Sequence, residues 1–182
     1  MRIAYITTAA KGEKNHRYLR YYTGKMDSLG IDYTEIDIDG KDRSRLQSLL
    51  AETNVVYVEG GNTFYLMRSV RESGFGGLIT GLVEKGMPYV GVSAGTYIAC
   101  PPIEMATWKP RPDRNRYGVE DLTGLGLVPV ALSVHYQPAY REHLKQGIAT
   151  CRYPVRILTD GQALLFRDGK ATLVGDPEEV VL

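Results

Sequence analysis

The chain has 182 residues, 43% of them hydrophobic, and its 22 lysines and arginines nearly balance its 21 aspartates and glutamates, for a net charge of +1. This length is sufficient for one domain whose core needs no disulfide bonds. The balanced charge disfavours a nucleic-acid binder, and no apolar run approaches the roughly 20 residues that cross a bilayer. Two cysteines without a CxxC pair, and a start without the long apolar segment of a signal peptide, favour a cytoplasmic location.

Strand-like and helix-like segments alternate along the first half of the chain. The predicted strands are 2–8, 33–38, 55–58 and 88–92, and the predicted helices are 15–29, 44–52, a segment that Asn62 caps, and 77–85. Short apolar strands separated by helices are typical of parallel βαβ units. The pattern therefore predicts an α/β fold with a mostly parallel sheet flanked by helices on both faces.

The second half of the chain begins with a long loop over 101–121, rich in proline, arginine and aspartate. Long loops in compact domains are usually functional or disordered. A strand follows over 126–134, and 162–175 is a β-hairpin with Asp168 and Gly169 as its turn. The last three residues, 180–182, are predicted to add an edge strand. We find no linker or repeat, so the sequence predicts a single domain over 1–182.

The segment Gly91-Val92-Ser93-Ala94-Gly95 carries the pattern G-x-S-x-G directly after an apolar strand. Small flanking residues let a chain turn sharply from strand to helix, so that the serine projects from the carboxyl edge of the sheet as a nucleophile. By pattern alone, a tight turn with an incidental serine is about as compatible. The choice depends on whether the chain also supplies a base, an acid and oxyanion donors.

Three histidines are candidates for the base. His16 and His143 lie among charged residues and are expected to face solvent. His135 ends the apolar run GLVPVALSVH, at the carboxyl end of a predicted strand. That is the edge at which Ser93 is expected, so His135 is the best candidate base.

The stretches VEGGNTFYLM, GVSAGTYIACPPIE and GLGLVPVALSVHY together resemble the S51 serine peptidases, the dipeptidase E (α-aspartyl dipeptidase) family. The resemblance continues to the closing DGQALLFRDGKATLVG. It implies a three-layer fold like that of the class I glutamine amidotransferases, flavodoxin-like, with serine at the nucleophile elbow and a C-terminal β-hairpin. It also implies a serine peptidase that acts on small peptides without cofactor or metal.

The resemblance further implies a Ser–His–acid triad with Ser93 as nucleophile and His135 as general base. The segment from Asp113 to His135 matches the family's acid-to-histidine stretch without a gap, which selects Asp113 as the acid, with Glu104 as runner-up. The oxyanion hole is expected at the backbone N–H groups of Gly61 and Ala94.

The region after His135 is shorter than in the family, which leaves the preference for an N-terminal aspartate open. Candidate substrate-binding residues are Gly60, Asn62, Arg116 and Arg141. Two alternatives remain: a hydrolase of another amide, isopeptide or peptidyl conjugate, and a non-catalytic ligand-binding protein of the same fold. The expected partner is a small peptide, with no nucleic acid or membrane, and a homodimer fits both the family and the 13 tyrosines.

Overall fold

The computed structural model describes all residues, 1–182. Its strands are β1 Arg2–Ile6, β2 Asp32–Ile36, β3 Val55–Val58, β4 Tyr89–Gly91, β5 Ala131–Ser133, β6 Val155–Ile157, β7 Gln162–Arg167 and β8 Lys170–Gly175. Its α-helices are α1 Arg17–Ser28, α2 Arg43–Leu50, α3 Thr63–Glu72, α4 Phe75–Glu84, α5 Ala94–Ala99 and α6 Arg141–Thr150. Three short 3₁₀ helices cover Thr8–Gly12, Glu104–Thr107 and Pro138–Tyr140.

The first four strands form one parallel sheet in the order β2-β1-β3-β4. Strands β5 and β6 pair in parallel as a second, two-stranded sheet. Strands β7 and β8 pair antiparallel, and the two residues between them, Asp168 and Gly169, both have positive φ (51° and 73°). Two consecutive positive φ values are the geometry of a type I′ turn, which matches the twist of a hairpin.

Alternate residues of β1 point to opposite faces of the parallel sheet, as the period of a strand requires. Ala4 and Ile6 belong to the large core of 28 buried residues, to which α2, α3, α4 and α5 also contribute. Ile3 and Tyr5 face the other way and pack with Met26 of α1. Helices therefore flank the sheet on both faces, as the alternating sequence pattern predicts.

Two predicted strands differ from the structure. Of the predicted strand 126–134, only Ala131–Ser133 is a strand. The N–H groups of residues 124–128 instead donate to the carbonyl groups at and just beyond the end of α5, for example Leu125 to Ile98 at 2.7 Å and Leu127 to Ala99 at 2.8 Å. A helix end leaves its last carbonyls without intrahelical donors, and this segment supplies them.

The predicted edge strand at 180–182 is wrong, because these residues form no strand in the structure. They lie instead beside α6 and β6, where Val180, Val181 and Leu182 line a surface groove. None of the helices is both long and apolar enough to span a membrane.

Candidate active site

Ser93 stands at the turn between β4 and α5, two residues after Gly91 and directly before the first residue of the helix, Ala94. Its backbone has φ 51° and ψ −107°, a combination that non-glycine residues rarely adopt. Such a conformation costs on the order of 1–3 kcal/mol and persists only where the surrounding structure enforces it. The side chain is partly exposed to solvent.

The two glycines of the motif allow this turn because neighbouring backbone atoms lie so close to each of them that a side chain would not fit. A Cβ at Gly95 would lie 2.1 Å from the carbonyl oxygen of Val58 in β3, and a Cβ at Gly91 would lie 2.6 Å from the carbonyl oxygen of Gly95. Both distances are far inside van der Waals contact. The spacing G-x-S-x-G is therefore a steric requirement of the strand-to-helix turn.

The turn after β3, Gly60 and Gly61, lies directly against Ser93. A Cβ at Gly60 would be 3.0 Å from Cβ of Ser93 and 3.7 Å from its Oγ. Gly61 has φ 141° and packs so tightly on the backbone of Ala9 that a Cβ would lie 2.3 Å from its carbonyl. Its N–H donates to no acceptor within the protein. The N–H of Ala94, first in α5, likewise has no intrahelical acceptor, so two backbone donors flank the serine.

His135 follows β5 in the chain and contacts a residue that follows β6. The two strands pair in parallel with Ser133 opposite Ile157, so their carboxyl ends lie at the same edge. There, Nδ1 of His135 makes a close contact with Oδ1 of Asp160. The side chains are 44% and 77% exposed. His135 also has a positive φ of 58°, which turns the chain sharply after the strand.

Asp113, the acid expected from the sequence, lies near enough to His135 for their charges to interact but makes its hydrogen bonds with another residue. Its carboxylate accepts hydrogen bonds from the backbone N–H of Thr63, at 2.9 Å, and from the Thr63 hydroxyl. It thus sits at the N-terminus of α3, where a negative charge is favourable. Burial nevertheless raises the pKa of Asp113 above its usual value, against the lowering effect of the Thr63 hydrogen bonds.

In the structure, the carboxylate at the Nδ1 side of His135 belongs to Asp160, whereas that of Asp113, the acid expected from the sequence, accepts from Thr63. Glu104, the runner-up, lines a surface depression with Arg152 and Tyr153 that contains neither Ser93 nor His135.

A partly buried lysine contacts the backbone directly before His135. Nζ of Lys109 donates to the carbonyl oxygen of Val134, at 3.1 Å, and lies 5.4 Å from the centre of the Tyr97 ring. Burial lowers the pKa of Lys109, while the charges of Asp113 and Asp160 act in the opposite direction. The segment that presents His135 is thus anchored to the long loop after α5.

The four candidate substrate-binding residues are not gathered in one place. Asn62 caps α3, because its Oδ1 accepts from the N–H of Tyr65 at 2.9 Å, and its Nδ2 donates to the carbonyl of Arg114 at 3.2 Å. Arg141 is exposed at the start of α6 and donates to the carbonyl of Val181 at 3.4 Å. Arg116 is exposed on the loop, whereas Gly60 is buried beside Ser93.

Comparison with known proteins decides the family. The model of peptidase family S51 matches residues 1–174. The chain belongs to peptidase family S51.

Relatives within the family agree with this assignment. The chain is 30% identical over 134 residues to an uncharacterized peptidase of Pasteurella multocida, covering 74% of this chain and 64% of that one. It is 34% identical over 163 residues to Peptidase E of Escherichia coli O6:K15:H31, covering 86% of this chain and 63% of that one. The chain thus spans slightly less than two thirds of the length of these two relatives. Membership of family S51 supports a hydrolase of the serine-peptidase type.

A solved structure shows the same fold. The putative peptidase E of Listeria monocytogenes EGD-e superposes with a TM-score of 0.84 at 22% identity, covering 96% of this chain and 85% of that one. This likeness supports the S51 architecture of a parallel sheet flanked by helices.

In this S51 chain, Asp160 is not among the candidate site residues expected from the sequence. The signal was present: the segment Pro154–Asp160, PVRILTD, is an apolar stretch that ends in an acid, as GLVPVALSVH ends in a histidine. Acids and histidines at the carboxyl ends of parallel strands meet at one edge of a sheet. Recognising β6 as a strand would have made Asp160 a candidate.

Proposed function

We propose that this S51 chain is a serine peptidase of the dipeptidase or exopeptidase type, with Ser93 as nucleophile, His135 as general base and Asp160 as the acid of the triad. The observation that carries the proposal is the contact of Asp160 with Nδ1 of His135. A carboxylate at that nitrogen fixes the tautomer in which Nε2 can accept a proton, and stabilises the imidazolium that forms. The strained turn at Ser93 is then a nucleophile elbow.

In the proposed reaction, Oγ of Ser93 attacks the carbonyl carbon of the scissile peptide bond while Nε2 of His135 takes the hydroxyl proton. The negative charge that develops on the carbonyl oxygen is stabilised by the N–H groups of Gly61 and Ala94. His135 then gives its proton to the departing amine, which leaves an acyl group on Ser93. Water, with His135 again as base, hydrolyses this ester and regenerates the serine.

No hydrogen bond joins Ser93 to His135 in the structure. The reaction needs Oγ of Ser93 within hydrogen-bond reach of Nε2, and catalytic hydrogen bonds of this kind often shorten only when substrate is bound. His135 is partly exposed just after β5, and the hydrogen-bond partner of its ring is Asp160. Substrate binding is therefore expected to bring the imidazole and the hydroxyl together.

Small peptides are the proposed substrates because the loop over 109–116 concentrates positive charge near the site. It carries Lys109, Arg111, Arg114 and Arg116. A guanidinium group can hold the terminal carboxylate of a short peptide with two parallel hydrogen bonds. The proposed contacts to the substrate are Arg116, Arg141, Gly60 and Asn62.

We further propose that the chain forms one domain with an architecture like that of the class I glutamine amidotransferases, and that it assembles as a homodimer.

A fluorophosphonate probe tests the proposal directly. We expect the probe to label the wild-type protein at Ser93, identified by mass spectrometry of the digested protein, and to leave Ser93→Ala unlabelled. A library of short peptides, with mass-spectrometric readout of the products, then identifies the end that is cleaved. Equal hydrolysis by the wild type and Ser93→Ala would refute the proposed function, and labelling without cleavage of any peptide would move the substrate to another amide or ester.

A further inference from the structure

The three successive peptide groups of the glycine turn after β3 are each held by a different partner. The N–H of Gly60, in the first group, donates to Oε1 of Glu59 at 2.7 Å. The carbonyl of Gly60, in the second, accepts from the hydroxyl of Tyr18 at 3.0 Å. The N–H of Asn62, in the third, donates to the carbonyl of Ala9 at 3.0 Å. The second group also carries the N–H of Gly61, the proposed oxyanion donor.

The Tyr18 hydrogen bond fixes the direction of that N–H. A trans peptide group is planar, so its C=O and N–H point in opposite directions, and no peptide bond in this chain is cis. A hydroxyl that holds the carbonyl oxygen of Gly60 on one side therefore holds the N–H of Gly61 on the other.

Two adjacent glycines would otherwise allow this peptide to rotate. Rotation of a peptide plane changes ψ of the residue before it and φ of the residue after it, and glycine accepts almost any value of either angle. Neither neighbouring hydrogen bond, from the Gly60 N–H to Glu59 or from the Asn62 N–H to Ala9, involves the C=O or N–H of the middle group. The phenol of Tyr18 is the one hydrogen-bond partner of this peptide group within the protein.

The surroundings of Tyr18 keep its hydroxyl protonated and in place. Burial and the nearby charge of Glu59 raise the pKa of Tyr18 to about 12, so its hydroxyl stays protonated well above neutral pH. Glu59 is only 1% exposed, and its second oxygen accepts from the hydroxyl of Tyr5 at 2.7 Å. This anchors the residue that precedes the turn.

We infer that Tyr18 is a positioning residue for the oxyanion hole: its hydroxyl holds the peptide between Gly60 and Gly61 in the orientation that aims the Gly61 N–H at the substrate carbonyl. The inference rests on the proposed function of Ser93. Tyr18 touches neither the reacting serine nor its histidine by hydrogen bond, so it acts through the backbone.

The test compares Tyr18→Phe with wild type, using p-nitrophenyl acetate and a fluorophosphonate as probes. Phenylalanine keeps the ring and its packing and removes only the donor. Loss of one neutral hydrogen bond predicts a roughly 3- to 10-fold fall in kcat for the ester and in the rate of phosphonylation, with KM unchanged within about twofold, because the contact acts on the transition state. Tyr33→Phe is the matched control, since it removes the hydrogen bond of another half-buried tyrosine, to Asp27 at 3.1 Å, away from the turn.

A crystal structure of Tyr18→Phe supplies a readout that does not depend on activity. We expect the peptide between Gly60 and Gly61 to occupy a second orientation, with the carbonyl turned toward Ser93, in the variant and not in Tyr33→Phe. The inference would be overturned if this peptide kept its single orientation in Tyr18→Phe, or if the variant hydrolysed the ester and reacted with the fluorophosphonate as fast as wild type. A wild-type protein inert to both probes would overturn the proposed function instead, and the peptide orientation would still decide the role of Tyr18.

Discussion

At the scale of single residues, two aspartates near His135 have opposite surroundings. The side chain of Asp160 is 77% exposed, and its hydrogen-bond partner is the imidazole of His135. Asp113 is half-buried and accepts two hydrogen bonds from Thr63. An exposed carboxylate contributes little to stability, whereas removal of a buried acceptor leaves its donors without a partner. Substitution of Asp160 is therefore expected to affect mainly catalysis, and substitution of Asp113 mainly stability.

Asp160→Asn is expected to lower kcat by about 10⁴, because the amide favours the wrong tautomer of the base, while the melting temperature stays close to that of wild type. Asp113→Ala is expected to cost about 1–3 kcal/mol of stability by leaving the N–H and hydroxyl of Thr63 unpaired, with a smaller loss of kcat. Steady-state kinetics and thermal unfolding of both variants check this. If Asp113→Ala were as inactive as Asp160→Asn and as stable as wild type, the acid would be Asp113, as the ungapped sequence match indicates.

The buried carboxyl of Glu59 predicts a pH dependence of stability. Burial raises the pKa of Glu59 above its usual 4.5, and the hydrogen bonds from Gly60 and Tyr5 only partly oppose this. A folded-state pKa above the unfolded value means that the folded protein binds the proton more tightly. The resulting stability is present in full below pH 4.5 and is lost as the pH rises through the raised pKa.

Glu59→Gln removes this titration and keeps the shape of the side chain. The free energy of unfolding of wild type minus that of Glu59→Gln should therefore fall as the pH rises from below 4.5 through the raised pKa of Glu59, and then level off. Urea unfolding of both proteins across this range measures the difference, in which the titrations of other carboxyls largely cancel. A difference that is independent of pH, or that grows with pH, would contradict the raised pKa.

At the scale of elements, the crossing of β3 and α5 depends on a glycine. Gly95→Ala would place a Cβ 2.1 Å from the carbonyl of Val58, so α5 must move away from β3. We expect a loss of about 1–3 kcal/mol, typical of overpacking, and a large fall in Ser93 labelling by a fluorophosphonate. Gly81→Ala is the control: Gly81 lies inside α4 with no atom within 4 Å of the added methyl, and should gain about 0.5–1 kcal/mol. Thermal unfolding that showed equal changes for the two variants would contradict this packing.

The sequence predicts well those helices and strands whose pattern of apolar and capping residues is contained in a short stretch of chain. The strand 55–58 is found at the same residues as β3, and Asn62 caps α3 as its position before an apolar helix indicates. Residues 126–128 belong to the strand predicted over 126–134, but in the structure the N–H groups of 124–128 donate to carbonyl groups at and just beyond the end of α5. This arrangement depends on tertiary packing that no local pattern contains. Asp160 was missed for a similar reason, since β6 has only three residues and is defined by its pairing with β5.

At the scale of the whole molecule, hydrogen bonds join the long loop between α5 and β5 to α3 and to the first 3₁₀ helix. Arg71 of α3 donates from one nitrogen to the carbonyls of Asp121, at 2.8 Å, and Thr123, at 3.0 Å. The hydroxyl of Tyr117 donates to the carbonyl of Gly12 at 3.3 Å. Because the same loop carries Lys109, which donates to the carbonyl of Val134 directly before His135, we expect the order of the loop to be coupled to the position of His135, the proposed general base.

Arg71→Ala tests this coupling. It removes a charged donor from two carbonyls and an ion pair with Asp121, so we expect a loss of about 1–2 kcal/mol, or roughly 2–8 °C in melting temperature for a chain of this size. Hydrogen–deuterium exchange should accelerate over 109–125, with little change in the four-stranded sheet, and Ser93 labelling should slow because His135 is less well held. Lys145→Ala, which removes an exposed ion pair with Glu142 on α6, should change none of these. Exchange that accelerated uniformly across the chain would show that Arg71 contributes to global stability and not to the loop in particular.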